Sequence, residues 1–198
     1  MNKALIVIDY TYDFVAPDGA LSCGQPGQEI ANRIAQLIRQ FNAEQQFIVI
    51  ANDVHYENDA HHPEAKLFPP HNLFKSPGRL LYGEVKQIMD ELCHDAQIHN
   101  LPEPFHIINK TRYSAFAGTD LELRLRERGI QEVHLAGVCT DICVLHTAVD
   151  AYNRGYTIII HEDAVASFDP TGHAWALNHF ANTLGALVIR LPKSACHC

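Results

Sequence analysis

Cys143 stands in the run Gly137-Val138-Cys139-Thr140-Asp141-Ile142-Cys143-Val144, where an apolar stretch gives way to a segment of helical period. A thiol in the first turn of a helix meets unpaired backbone N–H groups and the positive end of the helix dipole. These favour its thiolate, and the same amides can hold an oxyanion. A small buried hydrophobe is the competing reading of Cys143, and the turn alone leaves the two even. Asp9 ends one apolar run and Lys110 another. A carboxylate at the end of a buried strand is costly unless it is paired or used. Taken singly, each of the two reads more readily as the first solvated position beyond a strand. Together they supply what a cysteine hydrolase needs: a carboxylate to move protons, and an ammonium to lower the thiol pKa and stabilise negative charge.

Asp53 and His55 stand two apart, on one side of an extended backbone, with Glu64 and His71 further along the same loop. Carboxylate and imidazole in this mixture suit a divalent first-row metal, zinc first, with manganese and iron as alternatives. An Asp-x-His pair is a weak signal. In a chain with 13 histidines, chance spacing and surface histidines stay open, and His61 and His62 compete for the assignment. Phe14, Phe68 and Tyr113 lie near these positions in sequence and could supply apolar walls to a pocket; ordinary core is the alternative for all three. The Cys196-His197-Cys198 tail has too few fixed ligands for a metal and reads as a loose end.

Such residues need a frame. Strands are expected at Ala4 to Ile8, Phe47 to Ala51, Phe105 to Asn109, Glu132 to Gly137, Thr157 to His161 and Leu187 to Leu191, nearly continuous in Val, Ile and Leu. That pattern belongs to strands buried on both faces of a parallel sheet. Helical period places helices at Gly27 to Asn42, Gly83 to Leu92, Thr119 to Arg128, Asp141 to Arg154 and Thr171 to Thr183, with Thr140 as the N-cap of the fourth and Gly155 closing it. Alternation of this kind predicts an α/β fold, a three-layer α/β/α domain with a six-stranded parallel sheet. The irregular stretch is Asn52 to Tyr82, with Pro63, Pro69, Pro70 and Pro77; a loop that long in a compact domain is usually functional. Ligands of such sheets bind outside the carboxyl ends of the strands. Asp9, Asp53, His55, Lys110 and the Cys139 to Cys143 turn all follow strand ends and should converge on one edge.

A chain of 198 residues, 47% apolar and without biased stretches, is expected to be one domain over residues 1–198. Its net charge of −8, without a basic cluster, argues against nucleic acid and anionic membranes and for a small uncharged substrate. The run from Leu5 to Ile8 is too short for a secretory signal, no segment reaches membrane-spanning length, and the six cysteines do not form a disulfide framework. A cytoplasmic protein with reduced thiols is expected, with homo-oligomerisation left open.

Asp9, the Lys110-Thr111-Arg112-Tyr113-Ser114-Ala115-Phe116 segment and the Thr140-Asp141-Ile142-Cys143-Val144 segment resemble, in order and along nearly the whole chain, the isochorismatase-like cysteine hydrolases. Within them the sequence is most similar to the bacterial nicotinamidase/pyrazinamidase group. The resemblance implies strand order 3-2-1-4-5-6, a catalytic triad of Asp9, Lys110 and Cys143, a cis peptide between Val138 and Cys139, and an oxyanion hole from the Cys139 and Cys143 N–H groups. It implies Asp53, His55 and His71 as metal ligands, with Glu64 ranked below them, and a metal that binds the pyridine nitrogen of the substrate. It tips Phe14, Phe68 and Tyr113 toward the substrate pocket, and it implies a role in NAD salvage. Many members carry glutamine two residues after the triad aspartate; Thr11 stands there instead, so no role of that glutamine carries over. The competing functions are another small-amide cysteine amidohydrolase of this superfamily, isochorismatase itself, and a non-catalytic binding protein on the same fold.

Overall fold

A computed structural model of the chain describes residues 2–93 and 101–190. Its strands are β1 (Lys3–Ile8), β2 (Phe47–Asp53), β3 (Phe105–Lys110), β4 (Glu132–Val138), β5 (Thr157–Ala166) and β6 (Leu187–Ile189). They pair in parallel in the order β3-β2-β1-β4-β5-β6. The predicted three-layer α/β/α architecture and strand order are both present.

Pleating sorts the side chains of the central strands into two cores. Ala4, Ile6 and Ile8 of β1, with Phe47, Val49 and Ala51 of β2, face one side; Leu5, Val7, Ile48 and Ile50 face the other. The first core is covered by α5 (Leu121–Glu127), α6 (Leu145–Asn153) and α7 (Pro170–Asn182), which contribute Leu121, Leu125, Ala148, Ala151, Ala176 and Phe180. The second is covered by α3 (Ala31–Ala43) and α4 (Gly83–Leu92). Ile34, Leu37, Ile38 and Phe41 of α3 recur at helical spacing and are buried there with Val85, Ile88 and Met89 of α4. Burying each of the larger aliphatic side chains contributes about 1.5–3 kcal/mol, so Ile34→Ala should destabilise the domain by roughly 2–5 kcal/mol. Among the described residues no helix is long and apolar enough to cross a membrane.

The strand order reverses about β1, between β2 and β4. Asp9 follows β1, Asp53 and Lys110 end β2 and β3 as register partners, and Cys139 follows β4. Gly137 pairs with Ile8 and has φ of 116°, and a Cβ on it would lie 2.0 Å from the Ile8 carbonyl oxygen. Only glycine permits that approach, which brings the turn after β4 against the end of β1.

Several elements depart from the sequence-based expectation. The helix expected over Gly27 to Asn42 is two, α2 (Gln25–Glu29) and α3, bent at Ile30. Near the bend the buried Tyr10 hydroxyl donates to the Gly27 carbonyl at 2.7 Å. A four-residue helix, α1 (Tyr12–Val15), was not expected, and β5 runs five residues past His161 to Ala166. The last strand ends at Ile189, with Leu191 outside the described residues. The stretch after β2 is pinned rather than structureless: the His55 N–H donates to the Asn72 carbonyl at 3.1 Å and the Phe74 N–H to the His55 carbonyl at 2.8 Å.

Candidate functional site

Asp9 leaves β1 in a left-handed conformation, φ 56°. The turn is held to β2 from both ends: the Asp9 N–H donates to the Ala51 carbonyl at 2.9 Å, and Asp9 Oδ1 accepts the Asp53 N–H at 2.8 Å. Its second oxygen lies 2.7 Å from Lys110 Nζ, with both side chains all but inaccessible. Lys110 Nζ also donates to Cys143 Sγ at 3.6 Å and to the Arg112 carbonyl at 3.2 Å, and lies 3.7 Å from Asp53 Oδ1. Asp9 and Cys143 line the same pocket, and each influences the other's ionisation. The three side chains named from the sequence thus converge from three strand ends.

Burial governs their electrostatics. Loss of solvent, with the Asp53 charge, raises the Asp9 pKa to about 6 even though Lys110 opposes it. Burial works against the Lys110 charge as well, but Asp9, Cys143 and Asp53 outweigh it and the ammonium is held protonated. The Cys143 thiol is pushed well up by burial and by Asp9 and Asp53, with Lys110 pulling the other way. Burial and the two carboxylates thus oppose the thiolate that the turn and Lys110 favour, and Asp9 lies close enough to act on the thiol.

Cys139 is extended (φ −88°, ψ 145°), the Val138–Cys139 peptide is cis, and Thr140–Val144 form one wide π turn that runs into α6. Thr140 does not cap this helix; its hydroxyl pairs with His173 Nδ1 of α7 at 2.8 Å. The Thr147 hydroxyl donates to the Cys143 carbonyl at 2.7 Å and accepts the Ala115 N–H at 3.0 Å, tying the cysteine turn to the segment after Lys110.

Asp53, His55, Glu64 and His71 are all buried, and one ligand atom from each lies within 4.8 Å of the others. His55 Nε2 is 2.5 Å from Asp53 Oδ2, and His71 Nε2 is 3.7 Å from both Asp53 Oδ2 and Glu64 Oε2. His71 Nδ1 pairs with the Pro69 carbonyl at 2.8 Å, which directs the other ring nitrogen into the group. There Nε2 is buried without a hydrogen-bond partner. Burial and the Asp53 charge raise the Glu64 pKa to about 7. Burial disfavours a charge on His55, yet the bond to Asp53 prevails and its pKa rises. An orphaned imidazole nitrogen facing two crowded carboxylates fits a divalent cation. Of the competing histidines, His61 is exposed. His62 is buried 4.2 Å, ring to ring, from His55, and its Nδ1 accepts the Glu64 N–H at 3.2 Å. It braces the group from outside.

Between triad and cation group lies a pocket lined by Asp9, Glu64, Cys139 and Cys143 together with Phe14, Phe68 and Tyr113. All three aromatic residues named from the sequence are therefore on it. Leu21, Ile142 and Phe168 also line it and were not anticipated. Phe168 follows the unexpected extension of β5, so reading that strand to its end would have marked it by the strand-end rule. The Cys196-His197-Cys198 tail lies outside the described residues.

A profile of the isochorismatase domain matches residues 3–191. The chain is 56% identical over 188 residues to the isochorismatase family protein PncA of Bacillus subtilis, covering 95% of this chain and 99% of that one. The crystal structure of the nicotinamidase/pyrazinamidase PncA from Bacillus subtilis superposes with a TM-score of 0.89 at 54% identity, covering 95% of this chain and 99% of that one. Pyrazinamidase of Pyrococcus horikoshii in complex with zinc superposes with a TM-score of 0.80 at 31% identity, covering 96% and 100%.

Proposed function

Because the chain belongs to the isochorismatase domain family, we propose that it is a nicotinamidase, hydrolysing nicotinamide and related pyridine amides such as pyrazinamide to the acid and ammonia. One observation carries this reading: the buried Asp9–Lys110–Cys143 cluster and the Asp53–His55–Glu64–His71 group flank one aromatic pocket. The family likeness to a nicotinamidase/pyrazinamidase and to a zinc-bound pyrazinamidase supports it.

Asp9 takes the proton of the Cys143 thiol as sulfur attacks the amide carbon, and Lys110 balances the negative charge passing between them. The carbonyl oxygen becomes an oxyanion held by the Cys139 and Cys143 N–H groups. Asp9 returns the proton to the amide nitrogen, the C–N bond breaks, and ammonia leaves an acyl thioester on Cys143. Asp9 then deprotonates a water that attacks the thioester; the C–S bond breaks, the acid departs, and sulfur recovers its proton. Phe14, Phe68 and Tyr113 wall the ring and exclude water. Asp53, His55, Glu64 and His71 would hold one divalent metal, zinc by choice of ligands, which supplies an electrophilic anchor for the pyridine nitrogen. Nothing in this sequence of proton transfers requires that metal to activate the thiol.

The test is ammonia release from a panel of small amides, with metal analysis on the same preparation. Nicotinamide and pyrazinamide should be turned over by protein carrying about one metal per chain. Preference for a carbamoyl or ureido substrate would replace this reading with that of a general amidohydrolase, and no turnover of any amide would leave a binding protein.

A further inference from the structure

Asn72, next to His71, is fully buried and left-handed, with φ of 44°. Three contacts hold it. Its N–H donates to Asp13 Oδ2 at 2.7 Å, its side-chain oxygen accepts the Thr11 hydroxyl at 3.0 Å, and its carbonyl accepts the His55 N–H at 3.1 Å. The first two reach across about sixty residues to the segment that follows Asp9; the third seats the backbone of a second member of the cation group. Asp13 is also packed closely, since a Cβ on Gly78 would lie 2.0 Å from its Oδ2. Its neighbour Phe14 touches the His71 ring, with centroids 5.2 Å apart.

We propose that Asp13 is a positioning residue for the metal centre, holding the left-handed turn at Asn72 that aims His71 and seats His55. The inference rests on the reading of Asp53, His55, Glu64 and His71 as metal ligands. A carboxylate serving only its own loop would make its best bonds locally, but the local one, from the Ala20 N–H, is 3.4 Å long against 2.7 Å to Asn72. Charge-assisted acceptance of a backbone N–H is among the stronger hydrogen bonds, and here it fixes Asn72 in a left-handed conformation that residues other than glycine populate sparsely. Once the turn relaxes, His71 Nε2 no longer faces Asp53 and Glu64. Thr11 then has a place in this chain: it grips the same asparagine from the side chain.

The experiment measures zinc affinity by chelator competition on metal-stripped wild type, Asp13→Ala, Asp13→Asn and, as reference, His71→Ala. Partners that orient metal ligands are typically worth about 10–100-fold in affinity. Asp13→Ala should therefore bind zinc at least about tenfold more weakly than wild type, and Asp13→Asn, which keeps the shape with a neutral acceptor, about three- to tenfold more weakly. The asparagine variant decides alone if the alanine variant does not fold. Alkylation of Cys143 in the metal-free proteins should stay within about twofold of wild type, since the triad contacts are untouched. Zinc affinity within twofold of wild type in the folded variants overturns the inference, as does a matching change in alkylation, which marks a general loosening. If His71→Ala binds zinc like wild type, the ligand assignment itself fails; if His71→Ala loses zinc and the Asp13 variants do not, only the positioning role fails.

Discussion

Lys110 Nζ lies 2.7 Å from Asp9 Oδ2 with neither side chain more than 1% exposed, so the pair cannot be separated without leaving a bare charge in the interior. Lys110→Met should cost about 3–5 kcal/mol of stability, the usual penalty for orphaning a buried charge. It should also move Cys143 alkylation to higher pH, because the cation that favours the thiolate is gone. Denaturant unfolding and the pH profile of labelling read the two effects, and an unchanged labelling profile would place Lys110 outside the site.

Cys143→Ala should abolish hydrolysis, and Cys139→Ala, which keeps the backbone amide, should lose much less. Intact mass after rapid quenching should show an acyl adduct on wild type and none on Cys143→Ala. The reverse order of severity would make Cys139 the nucleophile.

Asp9 must be ionised to accept the thiol proton, and burial puts its pKa at about 6. In the free enzyme kcat/KM should be flat above that value and fall about tenfold for each pH unit below it. Asp9→Asn should lower turnover about 10²–10⁴-fold at neutral pH. An acid limb centred at the ordinary carboxylate value would mean that a different group controls the first proton transfer.

If the cation group holds the ring nitrogen, chelation and removal of that nitrogen should have overlapping effects. Nicotinamide and pyrazinamide should be good substrates and benzamide poor. Because anchoring places the amide carbon near Cys143, metal removal should depress nicotinamide turnover as well as its binding and hardly alter the low benzamide rate. Equal efficiency on nicotinamide and benzamide with metal present, or a proportional loss on both without it, eliminates the anchoring role.

Away from the site, His161 Nε2 lies 2.9 Å from His134 Nδ1, and His134 Nε2 lies 2.9 Å from Glu132. Burial, with His134 and Arg33 nearby, depresses the His161 pKa from 6.5 to about 4. The unfolded chain therefore binds the proton first as pH falls, so this residue's contribution is complete above 6.5 and is lost on the way down to 4. Between pH 7 and 4.5 the wild type should lose roughly 2–3 kcal/mol more than His161→Gln. Parallel stability curves for the two proteins would remove the histidine from the account.

The central strands were legible because Val, Ile and Leu run without interruption in strands buried on both faces, and Asp9 and Lys110 stood out by ending such runs. The polar pair Glu162-Asp163 hid the rest of β5, so that strand was read short and Phe168 was missed. The bend at Ile30 and the four residues of α1 are too short to establish a period. Thr140 has the composition of a cap, but its hydroxyl is claimed by a histidine 33 residues away. The Asp-x-His pair was visible from spacing. Spacing alone could not choose Glu64 over His61 or His62, since no periodicity there says which side chains point inward; the family resemblance named it, ranked below the others, and the folded loop brings it into the group.

Asp53 belongs to both halves of the site. One oxygen lies 2.5 Å from His55 and the other 3.7 Å from Lys110, and its charge helps to raise the pKa values of Asp9 and Cys143. If Asp53, His55, Glu64 and His71 hold a cation as proposed, its draw on that carboxylate would weaken the push on the thiol, and sulfur reactivity would become a gauge of metal loading. A batch of this protein could be graded for occupancy with an alkylating dye, without measuring the metal, and a heterogeneous batch would announce itself as two labelling rates.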